Sequence, residues 1–505
     1  MTSLPEGTVQ PEGTALPGWL AGALVFVASA AVLVLEIVGL RLIAPYIGIT
    51  LETSSAVIGV ALAAIAAGAW TGGRLADETD PRRRLGLLLL AGGALMMLVP
   101  PVATRAGQEL TGAGAGGVLL LAGLAVFAPA AVLSAVPPMV VKLQLATLSR
   151  TGTVVGRLSG IGTIGAIAGT FITGFVLVTR VPSSIILVGT GGVLLLAGAA
   201  LSVYLRTGGM ESRAGAVTLV VGVLIAGLTV SGSRLCDVET SYHCARVDTD
   251  PERPTGQLLL LDTLRHSYVD AADPTYLEFN YTTAIASVAD VMAPAGEPLA
   301  TLHIGGGGLT LPRYLATTRP GGRNVVLEVD PGVAEIAQGL QPPTDPALEL
   351  RIVDGRVGLG QQDDDSFDLV IGDAFGGLSV PWHLTTSETV QQVRRTLRPD
   401  GVYALNVIDY PPADFARAEI ATVMGVFDHV AVVATAGALD VSVGGNYVIL
   451  AAQRDLPLTA IRDRLGERGS PLQILDGAEL TRLVGDSPVL TDDYAPVDQL
   501  LTPYR

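Results

Sequence analysis

The sequence is poor in charge and in cysteine. Of its 505 residues only 15% are charged while 49% are hydrophobic, and the mean hydropathy is +0.51. Soluble domains carry about 25% charged residues, so these values exclude a wholly soluble chain and a disordered one. Cys236 and Cys244 are the only cysteines. With His243 they would supply three zinc ligands, but no second Cys or His pair completes a recognisable site, so we expect no metal.

Basic residues are scarce in the second half of the chain. Residues 1–231 hold 12 basic and 9 acidic side chains, a net charge of +3, and residues 232–505 hold 19 and 38, a net charge of −19. The two values give the −16 of the whole chain. Because an acidic surface repels phosphates, we expect no nucleic-acid partner, whereas a small cationic ligand suits this half.

Long apolar segments fill the first half. Seven of them approach the ~20 residues that cross a bilayer as a helix. They run over Trp19 to Ile43, Ser54 to Gly73, Leu85 to Val102, Gly117 to Val141, Leu158 to Val178, Ser184 to Leu205 and Ala214 to Ser231. The sequence therefore predicts a tail at 1–18 and an all-α membrane bundle of about seven helices at 19–231, in contact with the lipid bilayer. Residues 1–18 contain no Lys or Arg, which argues against a cleavable signal peptide.

The loops between these segments differ in charge. Those after the second, fourth and sixth segments hold nine basic residues together, and those after the first, third and fifth hold one each. By the positive-inside rule the first set is cytoplasmic, as is the N-terminus. Seven spans then place the second half outside the cytoplasm in a multi-pass protein of the cell membrane, and an eighth would reverse this.

The second half has a different pattern, in which short β-rich runs alternate with amphipathic stretches. This pattern is typical of an α/β domain with a doubly wound, parallel sheet and crossover helices. We place a linker at 232–256 and this Rossmann-like domain at 257–505. Residues Gln257 to Val269 alternate like a hairpin, which predicts a small β cap over the ligand-binding edge of the sheet.

Four consecutive predicted strands deliver glycines or a carboxylate to that edge. The first runs into Gly305, Gly306 and Gly307, the second ends in Glu328, the third in Asp354 and Gly355, and the fourth in Asp373. Doubly wound sheets bind ligands outside the carboxyl ends of their strands. Glu328 also lies ~20 residues beyond the glycines, the spacing at which an acid usually accepts hydrogen bonds from ribose hydroxyls. A nucleoside site is predicted, although a solvated turn would explain any one of these residues alone.

The same residues resemble a known family. The runs 302–307, 327–330, 353–356 and 367–373, with Pro381, His383, Thr386 and Glu388 after them, are similar to the successive motifs of the spermidine and spermine synthases, the polyamine aminopropyltransferases. With its membrane half, the chain resembles a bacterial group in which such a synthase is fused to a transporter-like membrane domain. The run 72–77 resembles a transporter loop, and the run 492–496 also fits that group.

The resemblance implies a set of roles. The glycine loop would pass beneath the methionine-derived part of decarboxylated S-adenosylmethionine, or of S-adenosylmethionine itself, as co-substrate. Glu328 would accept hydrogen bonds from the ribose hydroxyls and Asp354 from the adenine amino group. Asp373 would be the catalytic base that removes a proton from an amine such as putrescine. His266 would occupy the position of a hairpin glutamine that touches the substrates, although a lone histidine is also an ordinary structural residue.

Two positions depart from the family. Gly308 and Gly376 stand where acids are usual, so the nucleoside-binding acids are kept and much of the amine-binding set is lost. Three hypotheses follow: a transferase of aminopropyl or related alkyl groups; a non-catalytic nucleoside or polyamine sensor, or a module coupled to transport; and an S-adenosylmethionine-dependent methyltransferase. A homo-oligomer is compatible with each.

The two cysteines lie just past the last apolar segment. A disulfide between Cys236 and Cys244 is the preferred interpretation, and it agrees with an extracytoplasmic position. Adenosylated sulfonium compounds, however, are made inside the cell, so the predicted topology and the predicted ligand conflict.

Overall fold

Two compact units make up the chain, Met1–Arg234 and Leu235–Arg505, and each is described by itself. The structure is a computed structural model. It describes residues 16–48, 50–110, 114–145, 151–178, 180–205, 216–218, 220, 222, 236–340, 348–377 and 379–502.

The first unit is a bundle of long apolar helices. Within the described residues, six helices are long and apolar enough to cross a membrane. They are α1 (Gly18–Ile47), α2 (Leu51–Glu78), α3 (Pro81–Leu110), α4 (Gly116–Gln144), α5 (Thr151–Leu177) and α6 (Ser183–Tyr204). The predicted seventh segment, Ala214 to Ser231, falls almost wholly outside the described residues.

Small residues let these helices approach closely. A Cβ added at Gly165 or Gly169 of α5 would lie 2.4 Å from the carbonyl oxygen of Phe26 or 2.6 Å from that of Ala30, both in α1. Since real Cβ atoms do not come so near, only glycine permits this contact. Lipid gives helices no hydrophobic reason to associate, so such backbone proximity is what packs them.

The second unit is built on an eight-stranded sheet, and its fold class is the one predicted. Its strands are β5 (Thr301–Ile304), β6 (Asn324–Glu328), β7 (Leu348–Ile352), β8 (Phe367–Gly372), β9 (Leu397–Asp409), β10 (His429–Thr435), β11 (Gly445–Ala452) and β12 (Leu472–Asp476). Their spatial order is β12-β10-β11-β9-β8-β5-β6-β7. From β5 the chain proceeds outward to β6 and β7, then returns to the other side of β5 for β8 and β9. The chain therefore changes direction between β5 and β8, which is where such sheets open a ligand crevice.

The prediction of a purely parallel sheet is wrong for one part of it. Strands β5 to β9 are parallel, but β11 pairs antiparallel with both β9 and β10, and β12 pairs antiparallel with β10. The reason is the length of the connection: only residues 436–444 join β10 to β11, and a parallel crossover needs about a dozen residues or more. The sequence pattern also missed β12.

Helices cover both faces of this sheet. The helices of this unit are α7 (Asn280–Met292), α8 (Thr310–Thr318), α9 (Pro331–Leu340), α10 (Gly355–Gly360), α11 (Ser387–Thr396), α12 (Asp414–Met424), α13 (Ala436–Leu439), α14 (Leu458–Glu467), α15 (Gly477–Val484) and α16 (Val497–Leu500). One apolar core holds Phe367, Tyr403 and Phe415, and another holds Ile285, Tyr314 and Leu450. Because both faces are covered, the central strands β5, β6 and β8 are buried along almost their whole length.

A separate small sheet contains the predicted hairpin. Its antiparallel strands are β1 (Val238–Glu239), β2 (Cys244–Thr249), β3 (Gly256–Leu261) and β4 (Leu264–Asp270). The hairpin of β3 and β4 is the one that the alternation in Gln257 to Val269 predicts. The structure adds β1 and β2 on its free edge.

Candidate functional site

One pocket in the second unit gathers the predicted site residues. It opens at the carboxyl ends of β5 to β8 and lies under the hairpin. Its lining includes Gly305, Gly306, Gly307, Glu328, Asp354, Gly355, Asp373 and His266, together with His243 and His383, which the sequence did not single out as site residues. Gly308, Gly376 and the two cysteines are not among the described lining residues. The fold thus brings together residues that lie up to 140 positions apart in the chain, from His243 to His383.

The glycine loop forms the floor of the pocket. Gly305 has a φ of +100°, and a Cβ placed on it would lie 2.3 Å from the carbonyl oxygen of Asp373. Gly307 has a φ of +46°, also in the left-handed region. Only glycine meets both requirements, so the tight turn after β5 needs these residues whether or not a ligand is present.

Glu328 is held under this loop by backbone donors. Glu328 is the last residue of β6 and is 8% exposed. One oxygen accepts the N–H groups of Gly306 at 2.9 Å and Gly307 at 3.3 Å, and the other accepts the N–H of Asp330 at 2.9 Å. Since each carboxylate oxygen accepts about two hydrogen bonds, the oxygen that accepts the Asp330 N–H has room for one ligand hydroxyl, and a second hydroxyl would compete with the long 3.3 Å bond from Gly307. The carboxylate is fixed in orientation before any ligand arrives.

Asp354 has a double role at the tip of β7. Its Oδ1 caps α10 by accepting the N–H groups of Arg356 and Val357, both at 3.0 Å. Its Oδ2 lies 2.9 Å from Nε2 of His383. Burial disfavours its charged form, but the Val357 N–H, the His383 ring and the Arg356 N–H outweigh burial and leave the pKa of Asp354 below its ordinary value. His383 had entered the sequence analysis only as part of a family segment.

Asp373 stands at the end of β8 in a less favourable environment for charge. Burial raises its pKa to about 6, against the opposing hydrogen bonds from Asn406 and from the Tyr281 hydroxyl. Asn406 Nδ2 donates to Asp373 Oδ1 at 2.8 Å, and Asn446 Nδ2 donates to Asn406 Oδ1 at 2.9 Å. A carboxylate with a pKa near neutrality, in a cleft, is suited to accept a proton.

Sequence reasoning missed Tyr281, Asn406 and Asn446. Tyr281 lies in α7, far from β8 in the chain. Asn406 carried a usable signal, because a lone amide inside the apolar run of β9 needs a partner when buried, and it is 1% exposed. The antiparallel pairing of β9 with β11 brings Asn446 beside it, and that pairing was not foreseen.

The hairpin forms the roof of the pocket and rests on the glycine loop. The Gly308 N–H donates to Ser267 Oγ at 2.9 Å. A Cβ added at Gly308 would lie 2.8 Å from the Cβ of Ser267 and 3.1 Å from Cγ2 of Val269. With the hairpin in this position, no acidic side chain fits at Gly308. The glycine that replaces the family's usual acid at position 308 is therefore matched by Ser267 and Val269 of β4, which fill the space.

The cysteines lie beside this roof. Cys236 and Cys244 form a disulfide that joins residues eight positions apart. Cys244 begins β2, directly after His243. The bridge closes the loop that carries His243 to the pocket.

The chain is similar in sequence and in fold to several known proteins. No protein-family model matches the chain. The polyamine aminopropyltransferase of Vibrio vulnificus (strain CMCP6) is 28% identical over 221 residues, which is 40% of this chain and 70% of that protein. A solved structure of a probable spermidine synthase from Corynebacterium glutamicum ATCC 13032 is 27% identical, with a TM-score of 0.48 over 52% of this chain and 97% of that one. The spermidine synthase of Thermotoga maritima is 20% identical, with a TM-score of 0.34 over 51% and 81%.

Proposed function

We propose that this protein, whose second unit is related to the spermidine synthase family, is a membrane-anchored transferase that uses an adenosyl sulfonium compound as its donor. The observation that carries the proposal is the convergence of Glu328, Asp354, Asp373 and the glycine loop on one pocket. Four separate strand ends supply them, and a chance set of turn carboxylates would not face a common cleft.

The donor would lie along the carboxyl ends of the strands. Glu328 would accept the two ribose hydroxyls, and Asp354 the adenine amino group. Each is an ionised acceptor, so each hydrogen bond is charge-assisted. The glycine loop, which has no side chains, would let the chain bound to sulfur pass close to its backbone. The donor would be decarboxylated S-adenosylmethionine or S-adenosylmethionine.

Asp373 would act on the acceptor. An amine is protonated and non-nucleophilic at neutral pH, so Asp373 would hold the ammonium and take one proton from it. The freed nitrogen lone pair attacks the carbon next to the sulfonium, a C–N bond forms, and the C–S bond breaks with its electron pair moving to sulfur. The products are the alkylated amine and a neutral thioether, methylthioadenosine when the donor is decarboxylated. Tyr281 and Asn406 would keep the carboxylate aimed at the acceptor.

A second candidate is a non-catalytic module that binds a nucleoside. The closed space at Gly308 favours it, because the family's acid for the aminopropyl ammonium cannot be accommodated there. In this case the pocket would hold its ligand without turnover.

Binding and turnover separate the two candidates. The full chain, purified in detergent, is titrated calorimetrically with S-adenosylmethionine, its decarboxylated form and methylthioadenosine, and methylthioadenosine release is then measured with amines. For the transferase we expect binding and release, with release lost in Asp373→Asn. Binding without release by any amine supports the sensor. No binding of any of the three overturns both.

A matched pair of variants tests the ribose contact. Glu328→Gln should weaken nucleoside binding about tenfold or more, because it removes an ionised acceptor. Glu349→Gln makes the same change on the neighbouring strand β7, where the side chain is about half exposed, and should bind like the wild type. Equal affinities in both variants would contradict the role of Glu328.

A further inference from the structure

The roof of the pocket presents imidazoles where an amine-binding site would present acids. His243 and His266 both line the pocket on the hairpin side. His243 Nδ1 lies 2.9 Å from Asp262 Oδ2, and both side chains are largely buried, with 12% and 15% of their surface exposed. This contact fixes which ring nitrogen of His243 faces away from Asp262.

Asp262 is not available to an amine. Its Oδ2 is taken up by His243, and its Oδ1 accepts the Cys244 N–H at 3.0 Å. It does not appear among the described residues that line the pocket. The hairpin side of the pocket, formed by His243 and His266 and called the hairpin wall below, therefore offers no carboxylate among the described lining residues.

His266 adds no charge to that wall. Burial and the neighbouring His243 lower the pKa of His266 to about 4, against the opposing effect of Asp262. The ring therefore stays neutral near pH 7. Leu261 and Phe375 also line the pocket, so its lining is partly apolar.

Only three carboxylates line the described pocket, and two are committed to the nucleoside under the proposed function. Glu328 and Asp354 would bind the nucleoside, which leaves Asp373 to bind the acceptor amine. The space at Gly308 is closed by Ser267, and Gly376 has no side chain. One carboxylate can hold one ammonium, and the distal ammonium of a diamine would have to give up its hydration to reach a neutral wall.

We propose that the hairpin wall is an acceptor subsite for a monoamine, with one ammonium at Asp373 and a neutral remainder against His266 and His243. This inference rests on the proposed function and narrows its substrate class. The inferred acceptor is a monoamine and not a diamine such as putrescine.

The test compares two amines of equal chain length on the full chain in detergent. Methylthioadenosine release is measured with n-butylamine and with putrescine, which differ only in the second amino group. We expect kcat/KM for n-butylamine to equal or exceed that for putrescine. A putrescine value tenfold higher overturns the inference while leaving the proposed function intact.

A carboxylate introduced at His266 tests the same subsite in the opposite direction. His266→Glu should raise the ratio of putrescine to n-butylamine at least tenfold, because the new carboxylate receives the distal ammonium. His429→Glu makes the same change on β10, away from the described pocket lining, and should leave the ratio unchanged. An unchanged ratio in His266→Glu, in protein that still binds methylthioadenosine, contradicts the subsite.

If neither amine supports release, binding decides. Calorimetry of both amines with protein loaded with methylthioadenosine should give the same ranking, and tighter binding of putrescine, or binding of neither amine, overturns the inference. Failure to bind methylthioadenosine removes the proposed function and the inference with it, and so is distinguishable from failure of the subsite alone.

Discussion

At the scale of single residues, three carboxylates in one pocket have three different surroundings. Backbone N–H groups hold Glu328, a histidine and a helix N-terminus hold Asp354, and two neutral side chains in a buried position hold Asp373. Donors that favour the charged form suit binding, whereas burial that disfavours it suits proton transfer. Under the proposed function, these environments suit Glu328 and Asp354 to binding and Asp373 to proton transfer.

The pH dependence of turnover tests the role of Asp373 as the base. Because the pKa of Asp373 is raised to about 6, the base is ionised above that pH and protonated below it. We expect kcat/KM to be nearly level above about pH 7 and to fall about tenfold per pH unit well below 6, with amines compared at the same concentration of the ammonium form that Asp373 would bind. A profile level down to pH 4.5 would exclude Asp373 as the base.

Glu419 is a second buried acid, outside the pocket lining. It lies in α12 at 1% exposure, and neither carboxylate oxygen has a hydrogen-bond partner among the described residues. Burial raises its pKa well above the ordinary value. The folded chain therefore favours the protonated form, and the resulting stability is present below the ordinary pKa and is lost as pH rises above it.

Replacing this acid should stabilise the unit at high pH. Glu419→Met keeps the volume and removes the polar atoms, so we expect its gain in Tm over the wild type to be larger at pH 8 than at pH 5. A gain of about 1 kcal/mol corresponds to about 2–4 °C in a domain of this size. Glu335→Met, at an exposed position of α9, is the control and should show no such pH dependence. A loss of stability in Glu419→Met at pH 8 would argue that the acid has an essential partner.

At the scale of elements, a turn near the C-terminus holds one wall of the pocket. Residues 491–494 form a tight turn closed by two backbone hydrogen bonds between Thr491 and Tyr494. Asp492 at its tip pairs with the Arg356 guanidinium through both oxygens, at 2.6 and 2.5 Å, and accepts the Thr386 hydroxyl at 2.8 Å. Arg356 also donates to the carbonyl of His383 at 3.2 Å. The turn thus connects α10, whose cap is Asp354, to the segment that carries His383.

Loosening this turn should weaken nucleoside binding. Asp492→Asn removes the bidentate pair, so Asp354 and His383 lose part of their support, and we expect affinity for methylthioadenosine to fall about threefold to tenfold. Asp493→Asn is the matched control, since Asp493 is exposed and next in sequence. Calorimetry measures the affinity of both variants for methylthioadenosine. An equal loss of affinity in both would mean that the change in net charge causes it, and not the loss of the ion pair with Arg356.

The strand ends were predictable, and the contacts between distant elements were not. Parallel strands share an edge, so the pattern of runs is enough to predict that Glu328, Asp354 and Asp373 lie close together. The pattern gives the period of a strand but not its neighbour, so it predicts neither the antiparallel β11 nor the contact of Asn446 with Asn406. Tyr281 contacts Asp373 through the packing of α7, a tertiary contact that no local sequence pattern predicts.

At the scale of the whole molecule, the number of membrane crossings decides where the second unit works. The six described spans alone would put both ends of the bundle on one side, and the predicted seventh segment, outside the described residues, would put them on opposite sides. The disulfide agrees with an oxidising compartment. The ligand proposed for the pocket agrees with the cytoplasm.

A reporter distinguishes these arrangements. From the loop charges and the disulfide we expect alkaline phosphatase fused to the C-terminus to be active and a fluorescent protein that matures only in the cytoplasm to be dark. The opposite result would mean an even number of crossings. Fusions after Glu78, where α2 ends on the basic side, and after Leu110, where α3 ends on the sparsely charged side, provide the internal standards.

The contact between Ser267 and Gly308 constrains how the pocket opens. Roof and floor are joined there by a hydrogen bond, with no room for them to slide closer. We expect this contact to anchor the hairpin to the glycine loop, so that a bulky ligand enters and leaves through parts of the pocket rim away from Ser267.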